Sequence, residues 1–402
     1  MNTEIKQKKH IDVIVKYFYP VAAGIETNVM ETYTILNEEN WDVSIHTSKD
    51  VYLEKNILAE NENIRGLNIM RYPFKLFGYF PDINWSETDM VCLHNFDIFP
   101  HFRILSYCLW LKITNRKKFA LILTPHGGFN PEWRIFNPLQ KFIKKLYHYT
   151  LGVLLINLVV DGVRAVSEWE KAEIISKGVR SELVVVIDNG LEDQAYQDVE
   201  NMASSEIKEK VEGYGKYIIQ VGRVYMIKNY ETTINALVKL PEDLNYVIVG
   251  PVNDAKYKQK LEELIISLEL EKRVFFTGVV RGIDKYYLMK NAQMMVHMAL
   301  WESYCNVIHE GMSQGLVCIV ANNTALPYLI KNNINGYCVN TTDSDEVAKK
   351  IAFVMENKNT PMIQEMIQAN IEFGLKNSWR EVAGKMDEFY NNSLNKISSN
   401  KI

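Results

Sequence analysis

MALWESYCNVIHEGMSQGLVCIVA, residues 298–321, sets two acids eight positions apart, Glu302 and Glu310, across a turn-like stretch and the first turns of a helix. The apolar run QMMVHMAL (293–300) leads in and GLVCIVA (315–321) leads out, so the segment reads strand, loop, helix, strand. In an open α/β sheet, ligands bind where the C-terminal ends of strands meet helix N-termini. Glu302 falls in the loop, and Glu310 lies two turns into a helix expected to begin near Cys305–Asn306. The two acids share no helical face, so different work is expected of each. The backbone N–H groups of Asn306, Val307 and Ile308 are the predicted donors at that helix end, aimed at a phosphate or a sugar hydroxyl. Glu310, deeper in, suits a ribose diol, and Glu302, nearer the loop tip, suits hexose hydroxyls. A competing reading has both acids merely favouring the helix start, which fits Glu310 poorly because it lies past the first turn.

Strand-like runs alternate with helical patterns along the whole chain, which predicts α/β architecture with parallel sheets built from βαβ units. In the first half they are 12–18, 42–48, 68–73, 90–94, 120–126, 162–167 and 183–189. In the second half they are 217–223, 246–251, 274–278, 294–299, 317–321 and 336–340. Nearly continuous apolar strands point to sheets covered on both faces. With 402 residues, two domains are expected: 1–195, rejoined by a returning helix at about 378–397, and 196–377. The polar, helix-biased stretch 190–215 is the expected linker.

A net charge of −4 and 23% charged residues argue against a dedicated nucleic-acid binder. Five cysteines (Cys92, Cys108, Cys305, Cys318, Cys338) without CxxC spacing read as reduced thiols, which favours a cytoplasmic address. The first apolar run carries Asp12 and Lys16 and reads as a strand, not a signal peptide. The stretch LGVLLINLVV (151–160) is too short to span a bilayer.

The loop VGRVYMIKN (221–229) puts Arg223 and Lys228 at a strand end, where a diphosphate needs charge-assisted donors. Two surface cations near a strand end are the plainer alternative; the acidic segment favours function. These pieces together resemble a family 4 glycosyltransferase of the GT-B fold. The match rests on Glu302-Ser-Tyr-Cys-Asn-Val-Ile-His-Glu310 as the family's E-x7-E motif, on VGRVYMIK, and on Gly250-Pro251 at a strand end. NTALPYLIKNNINGYCV (323–339), AVSEWEKAEI (165–174), VIDNGLE (186–192) and TPHGGF (124–129) resemble further family stretches. The resemblance implies two facing Rossmann-like domains and retaining transfer from a nucleoside-diphosphate sugar in the cleft between them, without a metal or other cofactor. By it, Arg223 and Lys228 bind the diphosphate, Glu310 the ribose and Glu302 the transferred sugar. His126 then sits near the sugar's reacting face; a hydrogen-bonded loop histidine is the alternative. A glycan or lipid-linked acceptor in surface polysaccharide assembly is the implied partner. The rival functions are a nucleotide-sugar epimerase or hydrolase on the same fold, and a catalytically silent partner in a glycosyltransferase complex.

The chain also departs from the family. Ser303-Tyr304-Cys305 stands where Gly–aromatic–Gly is usual, so Cys305 is expected to fill part of the sugar pocket. In the first loop, YPVAAGIE (19–26), Ala23-Gly24 replaces two glycines, and Gly24 still allows backbone to approach a phosphate. Asp343-Ser344-Asp345 has D-x-D metal spacing but opens a helical run, so N-capping by Asp343 is the preferred reading. No GxGxxG follows the first strand, which counts against a dinucleotide oxidoreductase. Finally, PEWRIFNPLQKFIKKLYHY (131–149) mixes Trp133, Phe136, Phe142 and Tyr147 with Arg134, Lys141, Lys144 and Lys145; NRKK (115–118) adds charge. Peripheral docking on an anionic membrane is one reading; a helix packing its aromatics on its own sheet is the favoured one.

Overall fold

The computed structural model describes residues 8–20, 24–49 and 58–399. The chain divides into two compact units, 1–190 with 379–402, and 191–378. The boundary expected at 195/196 thus falls at Gly190–Leu191. The stretch expected as a linker is part of the second unit: it forms helical turns, and Ala195, Val199 and Ile207 are buried.

In the first unit, the described residues form β1 (Lys9–Ile14), β2 (Trp41–Ser48), β3 (Asn61–Ile64), β4 (Leu67–Tyr72), β5 (Met90–His94), β6 (Ala120–Thr124), β7 (Gly162–Ala165) and β8 (Val184–Val186). They make one sheet in the order β3-β4-β2-β1-β5-β6-β7-β8, parallel except for the β3–β4 pair. β3 is the strand that periodicity missed. Its sequence, NENI, is polar and sits at the sheet edge, where only one apolar contact face is required. β5 and β6 are buried at every residue, as strands covered on both faces must be. The last helix, Trp379–Ser399, belongs to this unit: Trp379, Val382, Met386 and Tyr390 are buried with Trp41 and Val43. Tyr390 and Tyr33 share a hydroxyl–hydroxyl hydrogen bond of 2.7 Å, and Trp41 Nε1–H donates to Asp387 Oδ1 at 2.7 Å.

The second unit holds β9 (Lys216–Val221), β10 (Leu244–Val249), β11 (Val274–Gly278), β12 (Met295–His297), β13 (Cys318–Ala321) and β14 (Gly336–Val339). Among the described residues they form a parallel sheet in the order β11-β10-β9-β12-β13-β14. The chain order reverses between β9 and β12, so a crevice at the strand C-termini opens there. Those ends carry the loop 222–229 after β9 and the acidic segment after β12.

Candidate active site

Two glycine-rich strand ends are pressed together at the crevice. A Cβ on Gly250 would lie 2.1 Å from Gly222 O, so this position admits no other residue. Val224 N–H then donates to Pro251 O at 2.8 Å, and the Tyr230 hydroxyl donates to Gly222 O at 2.9 Å, fixing the loop that presents Arg223. Arg223 is exposed and has no ion pair among the described residues. Lys228 ends the loop. The next residue, Asn229, adopts a left-handed backbone (φ 49°), and its side-chain amide donates to Met298 O and Thr341 O at 2.9 and 2.8 Å. Those bonds pin Lys228 beside the acidic segment.

There Lys228 Nζ pairs with Glu302 Oε1, which also accepts from His297 Nε2 at 2.8 Å. Burial pushes the Glu302 carboxyl up, but Lys228 and His297 outweigh it and bring it down to about 2. Glu302 is therefore a fixed anion. His297, at the end of β12, is fully buried and held below its ordinary value by that burial, so it is a neutral donor. The Glu302 N–H donates to Thr324 Oγ1 at 3.1 Å, which anchors the loop from the other side.

Glu310 stands in the helix Asn306–Ser313 and is buried. Lys285 Nζ lies 3.1 Å from Glu310 Oε2 and 3.2 Å from Glu192 Oε2. Burial raises the Glu310 carboxyl above its usual range despite Lys285, while the two acids raise Lys285. Glu310 is thus paired with Lys285 but less firmly ionised than Glu302. At the helix start, Asn306 and Val307 occupy the first turn. Ile308 N–H already donates to Cys305 O at 3.1 Å, so the structure removes it from the predicted set of open donors.

Cys305 caps this helix with φ 87° and ψ 72° and is 6% exposed. That is the backbone region where a glycine is free and a side chain is strained, so the departure seen in the sequence is a strained one. His297, Glu302 and Cys305 bring three potential metal-ligand atoms within 4.8 Å of one another, the one such group among the described residues. Lys228 and His297 already occupy Glu302 Oε1, and burial and the nearby Glu302 charge hold the thiol well above its ordinary value. Asp343 accepts from Asp345 N–H and Glu346 N–H at 3.0 and 2.9 Å, as a helix cap does.

In the first unit, His126 follows β6 with a left-handed backbone (φ 52°). Its Nε2 hydrogen-bonds His94 Nδ1 at 3.0 Å, and His94 Nε2 meets the Tyr33 hydroxyl at 2.9 Å. Burial, with the charge of Arg164, lowers His126 to about 3, so its ring is neutral. Gly24 opens the helix Gly24–Glu39 and is exposed; Ala23 lies outside the described residues. Buried Arg164 donates to Ile187 O, Asp188 O and Asn28 Oδ1, tying the 186–192 stretch to that helix. Sequence reasoning missed His297, Lys285 and Glu192. His297 left a signal as a polar residue inside the apolar run before Glu302, and Glu192 lay at the end of the VIDNGLE stretch without a role assigned to it.

The model of the Glycosyl transferases group 1 family matches residues 203–373, and that of Glycosyltransferase Family 4 matches residues 22–195. An uncharacterized glycosyltransferase of Methanocaldococcus jannaschii is 26% identical over 361 residues, covering 85% of this chain and 88% of that protein. The Escherichia coli UDP-Gal:alpha-D-GlcNAc-diphosphoundecaprenol alpha-1,3-galactosyltransferase is 27% identical over 186 residues, 44% of this chain and 46% of that protein. Among solved structures, Anabaena HepE in complex with UDP and glucose superposes with a TM-score of 0.74 at 18% identity, covering 96% of this chain and all of HepE. That likeness shows the GT-B fold.

Proposed function

Because the chain belongs to the family 4, group 1 glycosyltransferases, we propose that it moves a sugar from a nucleoside-diphosphate sugar to a glycan or lipid-linked glycan. On this reading transfer retains the donor's anomeric configuration and needs no metal ion. The second unit binds the donor and the first unit the acceptor. The observation that carries the reading is the Lys228–Glu302–His297 cluster, an ionised acid held by a cation that a diphosphate can claim.

Lys228 pairs with Glu302. An incoming diphosphate offers Lys228 a stronger, doubly charged partner, and Arg223 supplies a second cation. Glu302 is then free to accept hydrogen bonds from sugar hydroxyls while His297 still orients it. Glu310 accepts from the ribose diol, and the amides at the start of its helix serve the phosphates. The bond from the anomeric carbon to the phosphate oxygen breaks, and the diphosphate leaves with its electron pair. The acceptor oxygen attacks from the same face, and its proton passes to the departing phosphate. The cations stabilise the charge as it develops there.

The Anabaena structure holds UDP and glucose, and the E. coli relative's name gives a UDP-galactose donor and a diphosphoundecaprenol-linked acceptor. The E. coli relative's name supports UDP as the carrier and a lipid-linked sugar as the acceptor; surface polysaccharide assembly at a cytoplasmic address is what the family resemblance implies. The test is transfer from UDP-hexoses to a polyprenyl-diphosphate-linked sugar in EDTA, with the product's anomeric proton read by NMR. An α-linked product from an α-donor is expected. A β-linked product, or activity restored only by manganese, overturns the retaining or metal-free part. Epimerised or hydrolysed donor without acceptor marks the rival enzymes, and no turnover with any donor marks the silent partner.

A further inference from the structure

The helix Pro138–Leu146 contains no buried residue. It is mounted with its apolar side outward: Leu139 is 67%, Phe142 66% and Leu146 55% exposed, while Lys144 turns inward to pair with Asp97. The sequence reading that packed its aromatics on the sheet therefore holds for Tyr147, which is buried, and fails for Phe142. The apolar stripe continues through Leu151, Leu154 (55% exposed) and Leu158. Its one five-residue step, Leu146 to Leu151, falls across the π-helical turn Tyr147–Leu151, whose wider period keeps the stripe on one face. A capping box between Asn137 and Gln140, with Pro138 at the first position, holds the helix without help from a core. Beside it, the helix His101–Ile113 adds exposed Trp110 and Ile113, and Lys112 Nζ donates to Leu158 O at 2.6 Å.

Charge says what covers this face. Residues 98–118 and 133–160 contain no Asp or Glu but nine Lys and Arg, in a chain whose net charge is −4. Arg134, Lys144 and Lys117 are paired with acids outside those segments. Arg103, Lys112, Arg116, Lys118, Lys141 and Lys145 have no ion pair among the described residues. A continuous apolar stripe flanked by unpaired cations matches the acyl boundary and phosphates of an anionic bilayer, with the lysine stems reaching up to the headgroups. No helix among the described residues is long and apolar enough to cross a membrane, so the contact is one of lying on the surface. We infer that the face formed by residues 138–158 with Trp110 and Ile113 docks the protein on an anionic lipid surface. This inference stands apart from the donor-site reading.

The test is flotation of the full chain with vesicles of phosphatidylcholine alone or mixed with phosphatidylglycerol, alongside sedimentation velocity without lipid. Binding to the phosphatidylglycerol vesicles, weak on phosphatidylcholine and reduced by salt, is expected. Phe142→Asp with Leu146→Asp should abolish it. Lys141→Gln with Lys145→Gln should weaken it roughly thirtyfold, on the scale of two surface cations near anionic lipid. These side chains are exposed or half-buried, and unchanged circular dichroism checks that both variants fold. Equal binding to both vesicle types, or binding that survives Phe142→Asp with Leu146→Asp, overturns the inference. So does a dimer without lipid that this pair of substitutions dissolves, since the stripe would then be covered by a second copy.

Discussion

Replacing Cys305 by glycine and, separately, by alanine separates strain from packing at the donor site. The backbone at Cys305 sits at φ 87°, ψ 72°, where a side chain costs about 1–3 kcal/mol that glycine does not. Both substitutions remove a buried sulfur, worth roughly 1 kcal/mol by the area it hides. Alanine keeps the strain, whereas glycine relieves it at the expense of about 0.4–1 kcal/mol of unfolded-chain entropy. Cys305→Ala should therefore be about 1 kcal/mol less stable than the parent, and Cys305→Gly about 1 kcal/mol more stable than Cys305→Ala. For a unit of this size that is a difference of about 2–4 °C in melting temperature, read by calorimetry. Glycine should also open space beside Glu302 and raise kcat/KM for bulkier donor sugars relative to smaller ones. Alanine as stable as glycine, or more so, would refute the strain argument.

Three further outcomes follow from the buried charges. Lys285→Met leaves Glu310 unpaired, so it should destabilise the second unit by about 3 kcal/mol at pH 7, with the deficit shrinking toward pH 5 as Glu310 takes up a proton; denaturant titration at the two pH values checks this. Glu170, buried and pushed up to about 7, binds its proton more tightly folded than unfolded, so its contribution is present below its ordinary value of 4.5 and is lost as pH rises through 7. Glu170→Gln should remove that part of the slope of stability against pH between about 4.5 and 7, and a slope equal to the parent's counts against it. Lys228→Ala should lower kcat/KM by about 10²–10³-fold with unchanged circular dichroism, since its role is to hold charge in the transition state; full activity in this variant rules out that role.

The strand alternation was legible because parallel strands covered on both faces must be apolar throughout, and β3 escaped because an edge strand need not be. Glu302 and Glu310 were legible through their spacing on one strand–loop–helix segment. Lys285 and Glu192 were not, because the sheet topology brings them to Glu310 from distant positions that no spacing rule links. The sequence placed Ile308 at a helix end but not its bond to Cys305 O, which depends on how the first turn closes. Likewise, the periodicity at 138–158 announces an apolar stripe without saying which side faces out. Lys144 decides that by turning in to Asp97.

Calorimetric titration of UDP, GDP and ADP in EDTA, into the parent and Glu310→Gln, tests the central claim most directly. One of the three should bind with a dissociation constant in the micromolar range, and Glu310→Gln should weaken it about tenfold or more through the loss of charge-assisted bonds to the ribose. Binding of none of them, or equal affinity in parent and variant, would contradict the account of Glu310 as the nucleotide anchor.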